Sequence, residues 1–293
     1  MMDTNQVNRI DLPVKGSLPL LHATSLLIAI LMAGVSIAGL RESAVLYPTE
    51  ELVQTFVPND VVNLLIGLPV LLSSMWLAWR GKWTGFLLWM GALFFVFYNY
   101  TAYVFAMPLN GAFIASIFLM MLSVYTLIAL VAMVDGKAIQ EKLTGAVHEK
   151  FAGGVLAGLG FLFFFRVIGV LVNAINTGGT IAQTELAVNI ADFLITPAWI
   201  VGGILLWRRR ELGYVTGLGL LFQGSMLFIA LIVFLLLQPL LTAAPFAVID
   251  VIVIFLMGLI CFIPFVLFLR GVLANTRTPV KSASKMFVRS KSE

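Results

Sequence analysis

The chain of 293 residues contains one cysteine, Cys261, and two histidines, His22 and His148. A single thiol excludes a disulfide framework, a Cys-x-x-Cys redox pair and a thiolate metal site. Two histidines exclude haem, di-iron and zinc centres that draw several imidazoles from one chain. There is no Gly-x-x-x-x-Gly-Lys-Ser/Thr phosphate loop, no His-Glu-x-x-His helix and no Gly-x-Ser-x-Gly elbow. ATP-driven work and the familiar hydrolase sites therefore have no support. Charge is also scarce: Asp, Glu, Lys and Arg make up 11% of the chain, against about a quarter in soluble proteins.

What the chain has instead is apolar mass. It is 61% hydrophobic with a mean hydropathy of +1.04, more than one water-soluble core can hide. A helix needs about 20 apolar residues to cross the hydrocarbon layer. Eight stretches meet that length, at 17–40, 61–80, 84–107, 112–134, 151–175, 187–207, 213–237 and 247–270. Membrane-barrel strands would be about 10 residues of alternating pattern, so these are helices. The expected fold is all-α, a polytopic transmembrane bundle of eight helices. Span 1 is too long for a signal-peptide core and is expected to remain in the mature protein.

The basic residues set the expected orientation. Sixteen of the 18 Lys and Arg fall on one side, in the tail 1–16 (Arg9, Lys15), the joint Arg80–Lys82, the linker 135–150, the triplet Arg208–Arg210 and the region from Arg270 through the tail 271–293. Arg41 is alone on the other side, and Arg166 lies inside span 5. Positive charge stays cytoplasmic, so both termini are expected inside the cell membrane. The 41–60 segment becomes an acidic outer loop carrying Glu42, Glu50, Glu51 and Asp60. Topological anchoring and attraction to anionic headgroups account for the basic surplus, and no nucleic-acid partner is required.

A shift of 128 residues lays spans 2–3 on spans 6–7. Pro69 falls on Pro197, Trp79 on Trp207, Arg80 on Arg208, Gly85 on Gly213 and Gly91 on Gly219. Four spans per copy preserve direction, so 17–134 and 151–270 are expected to be parallel four-helix repeats. Shared membrane grammar, a Trp then an Arg at the inner interface, is the competing explanation.

Ionisable groups inside a bilayer cost about 2.5–3.5 kcal/mol each on the insertion scale and mark function by default. The strongly polar groups within the spans of this chain, ionisable or not, fall mainly in the outer halves. Asp60 and Asn63 open span 2, Asn99 and Tyr103 lie on outer span 3, and Arg166 is on outer span 5. Asp192 is one turn inside the outer end of span 6, Asp250 is near the outer end of span 8, and Gln223 is near mid-depth on span 7. Asp60 with Asn63, and Asn99 with Tyr103, share helix faces. An arginine at the depth of Arg166 needs a counter-charge, with Asp192 the first candidate and Asp250 the second. Together these eight residues predict an outward-opening polar site for a small polar or anionic ligand, with no metal and no cofactor. A structural ion pair with interhelical hydrogen bonds explains Arg166 and Asp192 equally well.

The stretch Phe56–Asn110 contains Pro58-Asn59-Asp60 at the start of span 2, the joint Trp79-Arg80 and the outer tyrosines of span 3. It is similar to a group of uncharacterised prokaryotic multi-span membrane proteins of about eight helices, and 191–221 resembles the same group. The two stretches cover about a third of the chain. The resemblance implies a bacterial or archaeal cytoplasmic membrane, and neither substrate nor mechanism. Three functions stay open: a transporter or permease-like protein, a membrane-embedded enzyme acting on a lipid-linked substrate through paired carboxylates, and a non-catalytic assembly partner.

Overall fold

The computed structural model describes residue 14 and residues 18–276. The expected N-terminal tail therefore lies almost wholly outside the described residues, as does the basic tail from residue 277 on. Among the described residues there are eight helices long and apolar enough to cross a membrane. They are α1 (Pro19–Arg41), a continuous second span (Glu50–Trp79), α5 (Trp83–Ala106), α6 (Gly111–Met133), α8 (Glu149–Thr177), α9 (Gln183–Trp207), α10 (Glu211–Leu241) and α11 (Val248–Thr276). The second span consists of α3 (Glu50–Val62), a π-helical turn (Asn63–Gly67) and α4 (Leu68–Trp79). Two short helices, α2 (Ser43–Leu46) and α7 (Gly136–Leu143), sit in the connections.

Two expectations need correction here. The second span starts at Glu50 rather than residue 61, so most of the expected 41–60 loop is helix. Thr49 caps it, its side chain accepting from the Leu52 N–H at 3.3 Å, and Glu50 and Glu51 suit the positive end of the helix dipole. The 135–150 linker likewise contains α7, capped by Asp135.

The early start is possible because the span's prolines are accommodated. Pro58 has no N–H for the Gln54 carbonyl one turn back. Gln238 of α10 donates to that carbonyl instead, at 3.1 Å. Pro69 stands two residues after the π-helical turn, which loosens the hydrogen-bond ladder ahead of it. At Pro197 of α9, Thr196 Oγ1 donates to the freed Phe193 carbonyl at 3.4 Å.

Helices α1 to α6 form one quartet of spans and α8 to α11 another. In each, neighbours in sequence pack together and the first span packs on the last. The quartets join mainly through α5, which lies against α9 and α10. Its apolar window is 78% buried, against 22–44% for seven other spans, and has the lowest hydropathy of the eight, 1.4. A span that polar needs protein rather than lipid around it. Where α5 crosses α10 the contact is backbone on backbone: a Cβ on Gly91 would strike the Gly219 carbonyl, and one on Gly219 would stand 3.1 Å from the Leu87 carbonyl.

The joints after α4 and α9 adopt one conformation. Gly81 and Arg209 both have positive φ, 74° and 54°. Lys82 N–H bonds the Leu77 carbonyl at 3.0 Å, and Arg210 N–H bonds the Leu205 carbonyl at 2.8 Å. Gly85 packs against Leu77 and Ala78, as Gly213 packs against Leu205 and Leu206. Every pair is separated by 128 residues.

Candidate functional site

Between the quartets, at the end of the bundle away from these basic joints, lies a cavity of about 370 Å³. It extends from Thr55 on α3 and Thr184 at the start of α9 down to Trp199. That is about 22 Å along α9 at 1.5 Å per residue. Glu51 of α3 ties the mouth together, accepting from the Thr184 N–H at 2.8 Å and from its hydroxyl at 2.7 Å. The N–H is one of the unsatisfied donors of a helix start, so one carboxylate both caps α9 and links the quartets. The floor is aromatic: the Phe163 ring lies 6.0 Å from Trp199 and 6.3 Å from Phe228.

Most of the cavity wall is apolar, from Phe95, Ile195, Leu231, Phe234 and their neighbours. Its polar groups form two sets. The first is an ion pair on the second quartet. Arg166 Nη1 of α8 donates to Asp192 Oδ2 of α9 at 3.1 Å and to Asn189 Oδ1 at 3.5 Å. The other carboxylate oxygen, Oδ1, accepts from the Tyr98 hydroxyl of α5 at 3.1 Å. The pair is asymmetric, with 47% of the Arg166 side chain exposed and 10% of that of Asp192.

The second set starts at Asn59 and Asn99 in the wall and leads away from the cavity into the first quartet. Asn59 Nδ2 donates to Asn99 Oδ1 at 2.9 Å, and Asn99 Nδ2 donates to Asn63 Oδ1 at 2.6 Å. Asn63 Nδ2 donates to the Tyr103 hydroxyl at 3.5 Å, which donates to Asp60 Oδ1 at 2.8 Å. The Tyr47 hydroxyl closes the set on Asp60 Oδ2 at 2.6 Å. Asn63 belongs to the π-helical turn, a local geometry that recurs at functional sites. Burial, reinforced by the Asp60 carboxylate, raises the Tyr47 phenol above its ordinary pKa, so it acts as a donor.

Of the eight residues singled out from sequence, Arg166, Asp192 and Asn99 line the cavity. Asn63, Tyr103 and Asp60 do not; they stand behind Asn99 in the hydrogen-bonded set. Asp60 in particular is fully buried rather than at a wet helix start, because the span begins ten residues before it. Gln223 is also behind the wall, where it accepts from Trp199 Nε1 at 2.7 Å. Asp250 is exposed at the start of α11, away from the cavity lining. Sequence reasoning gives no site role to Tyr98, Asn59 or Tyr47. Tyr98 neighbours Asn99 in sequence, but only the α5–α9 packing brings it to Asp192. Among the described residues, no three His, Cys, Asp or Glu side chains group to hold a metal ion.

The chain matches no protein-family profile, no curated protein and no solved structure. Its eight long apolar helices make it a multi-span membrane protein.

Proposed function

We propose that this is a transporter or permease-like protein of the cell membrane, and that the cavity between its quartets takes a small anionic ligand with an apolar body. The observation carrying this reading is Arg166, half exposed in the wall of an otherwise apolar cavity while Asp192 occupies one of its guanidinium nitrogens. An arginine in that position retains free N–H donors for a carboxylate or phosphate. Asp192, held from its other side by Tyr98, sets the charge of the empty site and is the group that an incoming anion displaces. The apolar lining above Trp199 then accepts the body of the ligand.

In this reading the basic joints face the cytoplasm and the cavity faces outward. The two quartets are parallel repeats, and the shared shape of the joints after α4 and α9 supports that duplication. The eight sequence candidates divide accordingly. Arg166, Asp192 and Asn99 meet the ligand, Asp60, Asn63 and Tyr103 support Asn99, Gln223 orients Trp199, and Asp250, exposed at the start of α11, has no part in the site. An enzymatic mechanism needs two carboxylates at one reacting centre. Asp60 and Asp192 are bonded to different partners and Asp250 to neither, so no observation favours it.

The test uses purified protein in lipid nanodiscs and in liposomes, with octanoate, octyl phosphate and benzoate as probes. At least one probe raises the melting temperature and enters the liposomes in the wild type, and Arg166→Gln loses both effects. Neither stabilisation nor flux with any probe, in protein shown to be folded, refutes the reading.

A further inference from the structure

Asp60 plays no direct part in holding a ligand, yet it is the most fully enclosed carboxylate in the second span. It lies ten residues after Glu50, about 15 Å along the helix, with no exposed surface. The ion pairs among the described residues are Arg166–Asp192 and Arg209–Glu149, so no cation compensates it. Burying an unpaired charge is costly, and burying a carboxyl whose proton has no acceptor is costly too. The surroundings of Asp60 supply partners for both states. For the carboxylate there are two phenol donors, Tyr47 at 2.6 Å and Tyr103 at 2.8 Å. Beside the carboxyl group stands the Ser36 hydroxyl of α1, buried and hydrogen-bonded to no group, which can donate to the carboxylate or rotate to accept from the acid. Beside Ser36 is the Tyr100 hydroxyl of α5, also buried and also without a partner. Gly39 of α1 completes the enclosure: a Cβ there would run into Asp60 and Tyr47.

We propose that Asp60 is a proton-binding site and that its charge state is communicated to the cavity through Tyr103, Asn63 and Asn99. Protonation transfers H⁺ from hydronium to the Asp60 carboxylate and leaves water. Tyr47 lies in the segment between α1 and α3 at the cavity end of the bundle and donates to the carboxylate from that side. Between Asp60 and the cavity every hydrogen bond is donated toward the carboxylate, from Asn59 to Asn99 to Asn63 to Tyr103. Amides do not relay protons, but they do polarise one another along such a chain. Loss of the negative charge at its end weakens the acceptor that orients Tyr103, and with it the alignment of Asn99 and Asn59 in the wall. The groups facing Asp60 are Ser36 from α1, Tyr47 from the connecting segment, Asn63 from its own span, and Tyr100 and Tyr103 from α5. Helix α9 meets the same span at Glu51, and α10 meets it at Gln54 and through the apolar residues Met226 and Ala230 clustered with Val62, which bring no charge to Asp60.

The experiment needs no ligand, so its outcome is independent of the transport reading. Infrared difference spectra of the full-length protein in nanodiscs are recorded between about pH 4 and about pH 9, spanning the range in which carboxyl groups titrate in proteins. A protonated-carboxyl band rises in the wild type and disappears in Asp60→Asn. In Tyr103→Phe, which folds around the same ring but removes one donor to the charged form, the band is present at higher pH. For the coupling, a trifluoromethyl label on Thr55→Cys reports from the cavity wall, since native Cys261 is buried. Its fluorine resonance follows the Asp60 titration in the wild-type background and becomes flat with pH when Asp60→Asn is added. Absence of any band sensitive to Asp60→Asn overturns the proton site. A band with a fluorine signal indifferent to it overturns the coupling.

Discussion

The exposed half of Arg166 faces either water in the cavity or lipid, and removing its counter-charge distinguishes them. The pair is 3.1 Å long, with side-chain exposures of 47% for Arg166 and 10% for Asp192. Arg166 is eleven residues from the end of α8 at Thr177, about 16 Å along the axis, too far for the guanidinium to reach the interface fully by extending. If lipid surrounds it, Asp192→Asn leaves an uncompensated arginine at depth, at about 3 kcal/mol on the insertion scale. If the cavity is wet, the same change removes only a half-exposed pair, discounted by screening to about 1 kcal/mol or less. We expect the smaller value. The converse change, Arg166→Gln, strands the more enclosed partner and should cost more, about 2 kcal/mol, with Tyr98 still bonded to it. Reversible unfolding in detergent gives both numbers. In parallel, the Arg166→Cys variant should react with a charged, membrane-impermeant thiosulfonate reagent added from the cavity side. A cost near 3 kcal/mol for Asp192→Asn, together with an unreactive thiol in Arg166→Cys, would refute a water-filled site.

Other consequences are open to measurement. Gly91→Ala places a methyl against the Gly219 carbonyl, which cannot rotate away, and should destabilise by about 3 kcal/mol, the upper end of overpacking costs. Gly219→Ala meets contacts of 3.1–3.2 Å and should cost less, while Gly34→Ala meets nothing and should be neutral or stabilising, all read as midpoint shifts in one unfolding series. Glu51→Gln weakens the acceptor that holds Thr184; because Glu51 is exposed the cost is only about 0.5 kcal/mol, and the clearer signal is faster amide exchange in the first turn of α9.

The bundle is legible in hydropathy because each span carries enough apolar residues to dominate any window. The second span shows where that signal fails. Glu50, Glu51, Asn59 and Asp60 depress the hydropathy of its first third, so the apolar window begins at 61, whereas Thr49 begins the helix. Displacing the start also displaces the depth assigned to Asp60, and a buried carboxylate then looks interfacial. The Arg166–Asp192 contact is accessible from sequence because a deep arginine demands an anion and few are available within the spans. Tyr47 and Tyr98 are not, since aromatic residues near span ends usually belong to the interfacial belt. Nothing in their spacing says that one covers Asp60 and the other reaches across to Asp192. Gln223 is recognisable as a polar group at mid-depth, but whether it faces the cavity or the back of Trp199 depends on helix rotation.

The joints after α4 and α9 are one shape made from different residues, and the difference has a mechanical meaning. Gly81 enters the left-handed region freely, whereas Arg209, at φ 54°, is strained there by about 1 kcal/mol or more. The strained copy is also the tethered one: the Arg209 carbonyl accepts from Gln140 of α7 at 2.7 Å, and its guanidinium reaches Glu149 at 3.7 Å. Glu149 in turn holds the Gly145 N–H and the Tyr214 hydroxyl, both at 2.9 Å. The second joint is thus fastened to the linker between the quartets through backbone and side chain, whereas at the first the linker lays Lys142 over the Trp83 ring, 4.5 Å from its centre.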